Sequence, residues 1–572
     1  MGKLLKKITS HPPRDMLREY AWLSRYTLHY KAEVAWYIIV GILGTVLSLA
    51  GSILSKNIID AVTKSDTGGI VVALVFYGLM QLSQIVIRAI SGRISAVVNL
   101  RVRQQITAQV YDKLLISDWE ALSAYHSGDL LTRVEGDVGT VSSGVLGWFP
   151  ELFTRSLQFI GTLGVILYYD PTLALMALLS APVTLIMSRY VIKMMRHHNK
   201  KMRELSSEIT VFNEESFQHI QLIKSFNRTD VYSDRHRQLQ QRYKDTSLEY
   251  NRFTIRKSTI MSLTGTVVAL LCFVWSIYRL QQGHITFGIM TLFLQLSGSV
   301  SSAFSALAAL IPGAITTATA AGRIMTIMDL PREEQGDVAA AEAFMATYGQ
   351  SPLSIQADHV SYHYKGGTDV LTDSQFRADA GEIVAIIGPS GEGKTTLLRL
   401  LLGIVTPQSG SIQVCADDGA TLPISPSTRK LFAYVPQGNT LFAGTVAENL
   451  RLLRPDATDE QLYDALRAAC AEDFVRRLPL GLDTPVREQG NFSEGQLQRL
   501  CIARALLSDA PILLMDECTS ALDLDTEQQV LNNILRSRPG RTCIVTTHRR
   551  SVQEMSNRIY AIRGDRIEPV SL

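Results

Sequence analysis

The sequence predicts an all-α transmembrane domain of six long helices, followed by an α/β domain of the P-loop NTPase class. Two observations support this fold. Long apolar segments recur through about the first 320 residues. A glycine-rich turn further on lies between an apolar strand and an apolar helix. With 572 residues, the chain is long enough for more than one domain.

Six apolar segments are long enough to cross a bilayer, which needs about 20 mostly apolar residues. They lie near residues 34–55, 69–90, 146–169, 171–191, 258–280 and 287–312. Buried helices of a soluble protein are the alternative. Because segments of this length recur six times, the pattern favours membrane spans.

Positive charge is distributed unevenly around these segments, and the distribution predicts their orientation. Lys and Arg are concentrated before the first segment and in the two long connections, which follow the second and fourth segments. The opposite loops, 56–68, 169–171 and 281–284, are short and poor in such residues. Both termini and the α/β domain are therefore predicted to be cytoplasmic, in a multi-pass protein of the cell membrane. The long connections are helical in pattern, so we expect the spans to continue beyond the bilayer.

Composition excludes little but gives no indication of a nucleic-acid partner, since the formal net charge is only +3. The six cysteines have no Cys-x-x-Cys pair and no metal-ligand spacing, which favours reduced, structural thiols. The first residues are followed by polar sequence, so a secretory signal is not predicted.

A phosphate-binding loop is predicted at Gly388 to Thr396, Gly-Pro-Ser-Gly-Glu-Gly-Lys-Thr-Thr, after the apolar strand 383–387. Its glycines let backbone N–H groups surround phosphate oxygens. Lys394 would reach the β- and γ-phosphates, and Thr395 would offer a hydroxyl to Mg²⁺. The predicted nucleotide-binding residues of this loop are Gly388, Ser390, Gly391, Gly393, Lys394, Thr395 and Thr396.

A second apolar strand, 512–515, is followed by two acids, Asp516 and Glu517. Asp516 fits a partner of Mg²⁺, directly or through water. Glu517 fits the group that orients and polarises the attacking water. Together with the P-loop, this pair predicts hydrolysis of a nucleoside triphosphate.

The order of these motifs resembles the ATP-binding cassette (ABC) transporter family over nearly the whole chain. The resemblance implies that the site binds ATP and Mg²⁺. Tyr364 matches the aromatic residue that stacks on adenine, and Gln437 matches the glutamine that senses the γ-phosphate and Mg²⁺. Asp523 lies in the loop that crosses to a partner cassette, and His548 matches the switch histidine. A structural tyrosine in a strand and a structural histidine are the alternatives for Tyr364 and His548.

These matches complete the predicted site. The catalytic residues are Glu517, His548 and Gln437, and the Mg²⁺ residues are Thr395, Gln437 and Asp516.

Six spans ahead of one cassette resemble an exporter-type half-transporter. The predicted domains are a transmembrane domain at 1–330, a linker at 331–350 and the cassette at 351–572. Residues 127–138 and 215–226 are similar to the two intracellular loops of the family, which carry short coupling helices that rest on the cassettes.

Residues 492–496, Phe-Ser-Glu-Gly-Gln, occupy the place of the family signature Leu-Ser-Gly-Gly-Gln, which closes over ATP held by a second cassette. Ser493, Gly495 and Gln496 match it, whereas Glu494 departs from it. Ser493 and Gln496 have the spacing of a capping box. A Glu in the first helical turn stabilises the helix by about 0.3–1 kcal/mol. The same carboxylate at about 8 Å from a phosphate charge costs roughly 2 kcal/mol. We therefore expect a working but altered signature.

The resemblance implies an ATP-driven exporter of a drug-like, lipid or peptide cargo. The partner would be a second half-transporter, either the same chain or a paralogue, surrounded by membrane lipids and with no nucleic acid. An importer built on the exporter fold with a siderophore-like cargo, and a heterodimer with one impaired ATP site, are the alternatives. A soluble ABC ATPase and an ATP-gated channel are less consistent with the spans and with intact Glu517 and His548. Within the spans, Gln81, Gln84 and Arg155 are candidates for residues that face a cavity.

Overall fold

Contacts divide the chain into two compact units. The computed structural model describes residues 13–63, 70–367, 369–438, 440–486 and 492–570. The first unit comprises Met1–Lys113 and Ser127–Asp329, and the second comprises Leu114–His126 and Leu330–Leu572, within those described ranges.

The first unit is all-α. Its helices, numbered in chain order, are α1 (Pro13–His29), α2 (Lys31–Thr63), α3 (Ile70–Leu115), α5 (Ser127–Thr132), α6 (Val138–Gly147), α7 (Phe149–Tyr169), α8 (Pro171–Gln218), α9 (Ile220–Ser225), α10 (Thr229–Gln281) and α11 (Phe287–Met328), with a π-helical turn at Arg133–Asp137. The short α4 (Trp119–Ser123) belongs to the second unit.

Helices occupy all six predicted membrane positions. Among the described residues, α2, α3, α10 and α11 are long and apolar enough to cross a membrane. The third and fourth predicted spans are helical as well, as α7 and the first part of α8. The side chains of 179–200 lie outside the described residues.

The predicted short turn between α7 and α8 is formed by Asp170. Its extended backbone ends α7, and its Oδ1 accepts hydrogen bonds from the N–H groups of Thr172 and Leu173, which caps α8. Its other oxygen accepts from Arg279 Nη2 at 2.6 Å, near the end of α10. The buried carboxylate therefore joins three helices at the end of the bundle that carries the short loops.

The helices after this turn are much longer than a bilayer is thick. α8 has 48 residues, which gives about 72 Å at 1.5 Å per residue, against a hydrocarbon core of about 30 Å. α10 packs alongside α8, and α9 lies between them at the far end. Four apolar side chains there, Phe217, Ile220, Leu222 and Phe226, are 49–71% exposed, and we call them the apolar tip.

The second unit is an α/β domain. Its strands are β1 (Ser354–His363), β2 (Asp369–Ala378), β3 (Ile383–Ile387), β4 (Ser409–Cys415), β5 (Thr421–Pro423), β6 (Phe432–Val435), β7 (Ile512–Asp516), β8 (Thr542–Thr546), β9 (Arg558–Arg563) and β10 (Arg566–Val570). Its helices after α4 are α12 (Val338–Tyr348), α13 (Lys394–Leu401), α14 (Val446–Arg451), α15 (Asp459–Ala468), α16 (Glu472–Arg477), α17 (Glu494–Leu506), α18 (Leu524–Ser537) and α19 (Arg550–Glu554), with 3-10 turns at Pro426–Leu431 and Gly481–Asp483.

Two sheets form the framework of this unit. The larger has the order β10-β9-β3-β8-β7-β6, in which β9, β3, β8, β7 and β6 pair in parallel. The smaller is antiparallel, with the order β2-β1-β4-β5. Strands β7 and β8 are fully buried and rich in aliphatic residues, as expected of central parallel strands. Their carboxyl ends therefore meet at one edge, where open α/β sheets bind ligands.

The chain segment expected as a linker, 331–350, carries α12. Ala341 and Phe344 of this helix are buried in the core of the second unit. Asp337 caps the helix by accepting from the N–H of Ala340 at 2.9 Å.

Residues 114–126 pack with the second unit, whereas 127–138, which the sequence matched to the first intracellular loop, lie in the first unit. Asp118 caps α4 by accepting from the N–H of Ala121. The Trp119 ring lies 4.5 Å from the guanidinium carbon of Arg399, and Glu120 accepts from the N–H of Lys365 at 3.0 Å. Helix α4 therefore contacts this unit through a cation–π interaction and a hydrogen bond.

Candidate functional site

The glycine-rich loop turns sharply between β3 and α13. Gly388 and Gly393 have φ angles of 151° and 103°, which residues with a side chain rarely adopt. A Cβ at Gly388 would lie 2.7 Å from the carbonyl oxygen of Ile562, and one at Gly393 would lie 2.7 Å from Val370. The backbone can therefore follow this path only with glycine at both positions.

Lys394, the first residue of α13, is buried, with 5% of its surface exposed. Its Nζ donates to the carbonyl oxygens of Gly388 at 2.6 Å and Pro389 at 3.2 Å. The same nitrogen lies 2.9 Å from His548 Nε2 and 3.4 Å from Glu517 Oε1. The ammonium group is thus held at the mouth of the loop by short contacts on several sides.

Glu517 is the centre of this cluster. His548 Nε2 lies 3.1 Å from its Oε1, and Gln437 Nε2 donates to its Oε2 at 2.8 Å. The backbone of Glu517 is left-handed, with φ 47°, and its N–H donates to Thr546 Oγ1 at 3.0 Å. Gln437, Glu517 and His548 follow β6, β7 and β8, so the parallel sheet brings the three predicted catalytic residues together.

Asp516 is buried beside the first turn of α13. Its Oδ2 accepts from Thr395 Oγ1 at 2.9 Å, and its Oδ1 accepts from Thr546 Oγ1 at 2.7 Å. Burial, together with the charge of Asp516, raises the pKa of Tyr434 to about 12, so this neighbouring phenol stays neutral. Thr395 and Asp516, the two residues expected at Mg²⁺, are therefore in direct contact.

Tyr364 lies against α13, next to the loop. Its hydroxyl is 3.0 Å from Thr396 Oγ1 and accepts from Arg399 Nη1 at 2.9 Å. Its ring meets that of Tyr362 edge to face, with centroids 5.0 Å apart. The sequence analysis missed Arg399, although the residue lies three positions after Thr396 and therefore on the same side of the helix.

The signature turn is capped as predicted. Ser493 Oγ accepts from the N–H of Gln496 at 3.3 Å, and Gln496 Oε1 accepts from the N–H of Ser493 at 2.8 Å. A Cβ at Gly495 would lie 2.9 Å from the carbonyl oxygen of Ala521, so a side chain here would collide with the loop 520–523. Glu494 is exposed, and no hydrogen bond or ion pair joins it to any described residue. Residues 487–491, just before the signature, lie outside the described residues.

The loop 520–523 is fixed by two side chains that the sequence analysis missed. Gln498 is buried; its Oε1 accepts from the N–H of Ala521 at 3.0 Å, and its Nε2 donates to Ser520 Oγ at 3.1 Å. Arg549 donates to the carbonyl oxygens of Leu522 at 2.8 Å and Ser520 at 2.7 Å. Arg549 directly follows His548, so the loop is tied to both the signature helix and the histidine.

Arg549 also pairs with a fully buried acid. Its Nη1 lies 3.4 Å from Glu527 Oε2, which accepts from Ser551 Oγ at 2.6 Å. Asp523 caps α18 by accepting from the N–H of Thr526 at 2.9 Å, and this hydrogen bond lowers the pKa of its carboxyl group. Asp523, which lies in the loop expected to cross to a partner cassette, therefore also caps a helix of its own chain.

All six cysteines are free thiols. Burial raises the pKa of Cys518 and of Cys543 to about 12, so neither forms an appreciable thiolate at neutral pH.

Comparison with known proteins agrees with this architecture. A family profile described as the ABC transporter transmembrane region matches residues 34–304, and the ABC transporter profile matches 371–520. An ATP-dependent lipid A-core flippase of Desulfotalea psychrophila is 31% identical over 454 residues, covering 78% of both chains. A multidrug resistance ABC transporter ATP-binding and permease protein of Lactococcus lactis is 26% identical, covering 93% of this chain and 88% of its own.

The fold has a similar counterpart among solved structures. A bacterial Atm1-family ABC exporter with ATP bound superposes with a TM-score of 0.76 at 23% identity, covering 95% of each chain. This likeness identifies the fold, and the matched profiles together with the flippase relative identify the family. The chain therefore belongs to the ABC transporter family, as an exporter-type half-transporter that couples ATP hydrolysis to transport across a membrane.

Proposed function

We propose that this half-transporter works as a dimer that exports a drug-like, lipid or peptide cargo, with ATP held between the two cassettes. The observation that carries the proposal is the cluster at the P-loop mouth. Lys394 Nζ and His548 Nε2 lie 3.4 and 3.1 Å from one carboxylate oxygen of Glu517, and Gln437 donates to the other. Such a cluster combines a phosphate-binding cation with a base for water.

Each residue has a distinct role in the proposed reaction. The γ-phosphate of ATP would replace the contacts that Lys394 makes with Gly388 and Glu517. Glu517 would then be released to orient and polarise the attacking water, and His548 would donate to the transferring phosphoryl group. Tyr364, which lies against α13 beside the loop, would stack on the adenine ring.

The residues at Asp516 fit a magnesium ion. Thr395 Oγ1 and an Asp516 oxygen are already in contact at 2.9 Å, and the side-chain oxygen of Gln437 completes a set of hard oxygen donors. Bound Mg²⁺ would neutralise charge on the β- and γ-phosphates. Because Asp516 is the one carboxylate in this set, we expect the phosphates of the nucleotide to supply further ligands.

The signature residues Ser493, Gly495 and Gln496 would close over ATP held by a partner cassette. Ser493 is exposed, and the hydrogen bonds of Ser493 and Gln496 go to each other rather than to the P-loop of their own chain. One chain carries every catalytic group, which favours a homodimer. A heterodimer with one impaired site is the second candidate, because Glu494 stands in the turn.

Reconstitution tests this proposal and the direction of transport together. In sealed proteoliposomes with the cassette facing outward, ATP added outside should drive a fluorescent lipid analogue into the lumen. Glu517→Gln should abolish that accumulation, and a wild-type protein that instead drives release from the lumen would be an importer.

The proposed orientation has its own test in intact cells. A cysteine replacing Thr63, at the end of α2, should react with a membrane-impermeant thiol reagent. Cys415 in the cassette should react only after permeabilisation. The reverse pattern would contradict cytoplasmic termini.

A further inference from the structure

A cavity of about 260 Å³ lies inside the first unit, where α2, α3, α7 and α11 converge. Its lining combines aliphatic side chains, including Val40, Ile87 and Leu296, with polar ones. This mixture is typical of a site that orients a partly apolar ligand through a few polar groups.

Two arginines line the cavity, and they differ in their partners. Arg155 donates to Glu151 Oε1 at 3.1 Å and to Gln158 Oε1 at 3.2 Å, so its charge is balanced within α7. Arg88 forms no hydrogen bond or ion pair with any described residue. No acid is among the residues that line the cavity, so its lining carries one unbalanced positive charge.

The remaining donors face the same space. Gln84, Arg88 and Ser91 recur at helical spacing on α3, and all three line the cavity. Several hydroxyls of the other helices donate to carbonyl oxygens of their own helix, as Thr45 does to Gly41 at 2.9 Å and Thr162 to Gln158 at 2.6 Å. The side-chain N–H groups of Arg88, Gln84 and Gln158 and the hydroxyl of Ser48 make no hydrogen bond with any described residue, so these are the donors left for a ligand.

We propose that this cavity binds the anionic group of an amphipathic molecule, a phosphate or carboxylate, through Arg88 and Gln84, with its apolar body along Val40, Ile87 and Leu296. A guanidinium within a predicted span is costly unless it has a partner, and phosphate and carboxylate are the anions that its forked donors match. This inference rests on the proposed transport function, for which it names the chemical class of the cargo. Of the candidates from the sequence, Gln84 and Arg155 line the cavity, whereas Gln81 does not.

The test uses the full-length protein in phosphatidylcholine nanodiscs and measures how two probes with the same alkyl chain change the ATPase rate. Dodecyl phosphate should change the rate at lower concentration than dodecyltrimethylammonium. In Arg88→Gln, the half-maximal concentration of dodecyl phosphate should rise about tenfold, which corresponds to about 1.4 kcal/mol. Arg88→Lys should restore most of the response, because it keeps the charge.

Arg93→Gln is the matched control, since Arg93 lies on the same helix, is exposed and does not line the cavity. It should leave the half-maximal concentration within about twofold of wild type, well below the tenfold step. Equal effects of Arg88→Gln and Arg93→Gln, or equal potency of the anion and the cation, would overturn the proposal. Phenyl phosphate added from water, and phosphatidic acid placed in the bilayer, then distinguish a soluble organic anion from a lipid.

The basal ATPase rate separates this inference from the proposed function. A wild-type protein without ATPase activity sensitive to Glu517→Gln would contradict the proposed function. A protein with that activity but without anion selectivity would contradict only the assignment of the cavity.

Discussion

The charged groups at the P-loop (388–396), which we call the P-loop end, and at the signature turn (492–496), the signature end, have opposite surroundings. At the P-loop end, Lys394, His548 and Glu517 lie within 3.4 Å of one another, and Lys394 is buried. At the signature end, Ser493 and Glu494 are exposed, and Glu494 has no partner among the described residues. One end is organised by its own chain, whereas the other presents its groups outward.

In the proposed dimer, this difference indicates which contacts a second cassette would supply. A cluster of mutually paired charges is already stable, so a nucleotide there has to exchange existing contacts for its own. An exposed carboxylate loses little by staying in water, and its effect emerges only when a phosphate approaches. Mutations at the P-loop end should therefore change the rate of hydrolysis, whereas mutations at the signature end should change the apparent affinity for ATP.

The largest expected effect is on stability, at the ion pair of Arg549 and Glu527. Arg549 also holds the loop 520–523. Arg549→Ala leaves the fully buried Glu527 carboxylate without its charged partner. We expect a loss of about 3 kcal/mol, the low end of the range for a buried pair, because Arg549 is one-third exposed. The cassette transition in a thermal scan should fall by about 6–12 °C. Arg550→Ala, at an exposed neighbour, should shift the transition little. A shift for Arg549→Ala that is as small as the shift for Arg550→Ala would show that the ion pair is dispensable.

The next effect is catalytic. Glu517→Gln removes the charge that polarises water but keeps Lys394 and the loop backbone, so ATP should still bind. The steady-state ATPase rate should fall at least tenfold, a barrier rise of about 1.4 kcal/mol or more. Radioactive ATP retained on the purified variant measures binding separately. A near-normal ATPase rate in Glu517→Gln would contradict the assigned role of Glu517.

A smaller effect is expected at the signature end. If the Glu494 carboxylate faces ATP held by a partner, Glu494→Gly removes a repulsion of about 1–2 kcal/mol, and apparent ATP affinity should rise several-fold, more at low salt. Glu494→Gln keeps the length of the side chain and should act in the same direction. Unchanged affinity in both variants would mean that Glu494 only supports its own helix.

The same variants separate the two assemblies. Wild-type protein that hydrolyses ATP alone, with two equivalent sites, is a homodimer with a functional signature. Protein that stays inert until a paralogue with an unaltered signature is added is one half of a heterodimer, and Glu494 marks the weak site.

The smallest expected effect is the pH dependence of the Asp523 cap. Hydrogen bonding lowers the pKa of Asp523 in the folded chain, so its ionised form stabilises the folded state. That contribution is fully present above the ordinary carboxyl pKa, near 4, and is lost as pH falls through the lowered value. Asp523→Asn keeps a cap without a charge. The difference in melting temperature between wild type and variant should be constant from about pH 7 to 5 and shrink below pH 5. A constant difference down to pH 3 would contradict a stabilising contribution from the ionised Asp523 carboxylate.

The P-loop could be predicted because it is formed by consecutive residues, and the order of motifs along the chain indicated the distant residues Gln437, Asp516, Glu517 and His548. Strand, glycine turn and helix specify the loop, and the capping box of Ser493 and Gln496 spans only three residues. Gln498, Arg549 and Glu527 could not be found in this way, because they belong to none of these motifs and their roles depend on burial and on contacts made only in the folded chain. The sequence matched 127–138 to the first intracellular loop but did not indicate that α4, just before it, packs with the second unit, because Trp119 meets Arg399 only in the folded chain.

The apolar tip beyond the membrane has a consequence for the newly made subunit. Phe217 and Phe226 are 71% and 66% exposed at the end of helices that reach far beyond a bilayer. In a single chain, these rings are accessible to holdase chaperones and to quality-control proteases, which recognise exposed apolar side chains. If the partner in the proposed dimer covers these rings, the half-life of a subunit in the cell should depend on how quickly it assembles, so that abundance reports on assembly as well as on folding.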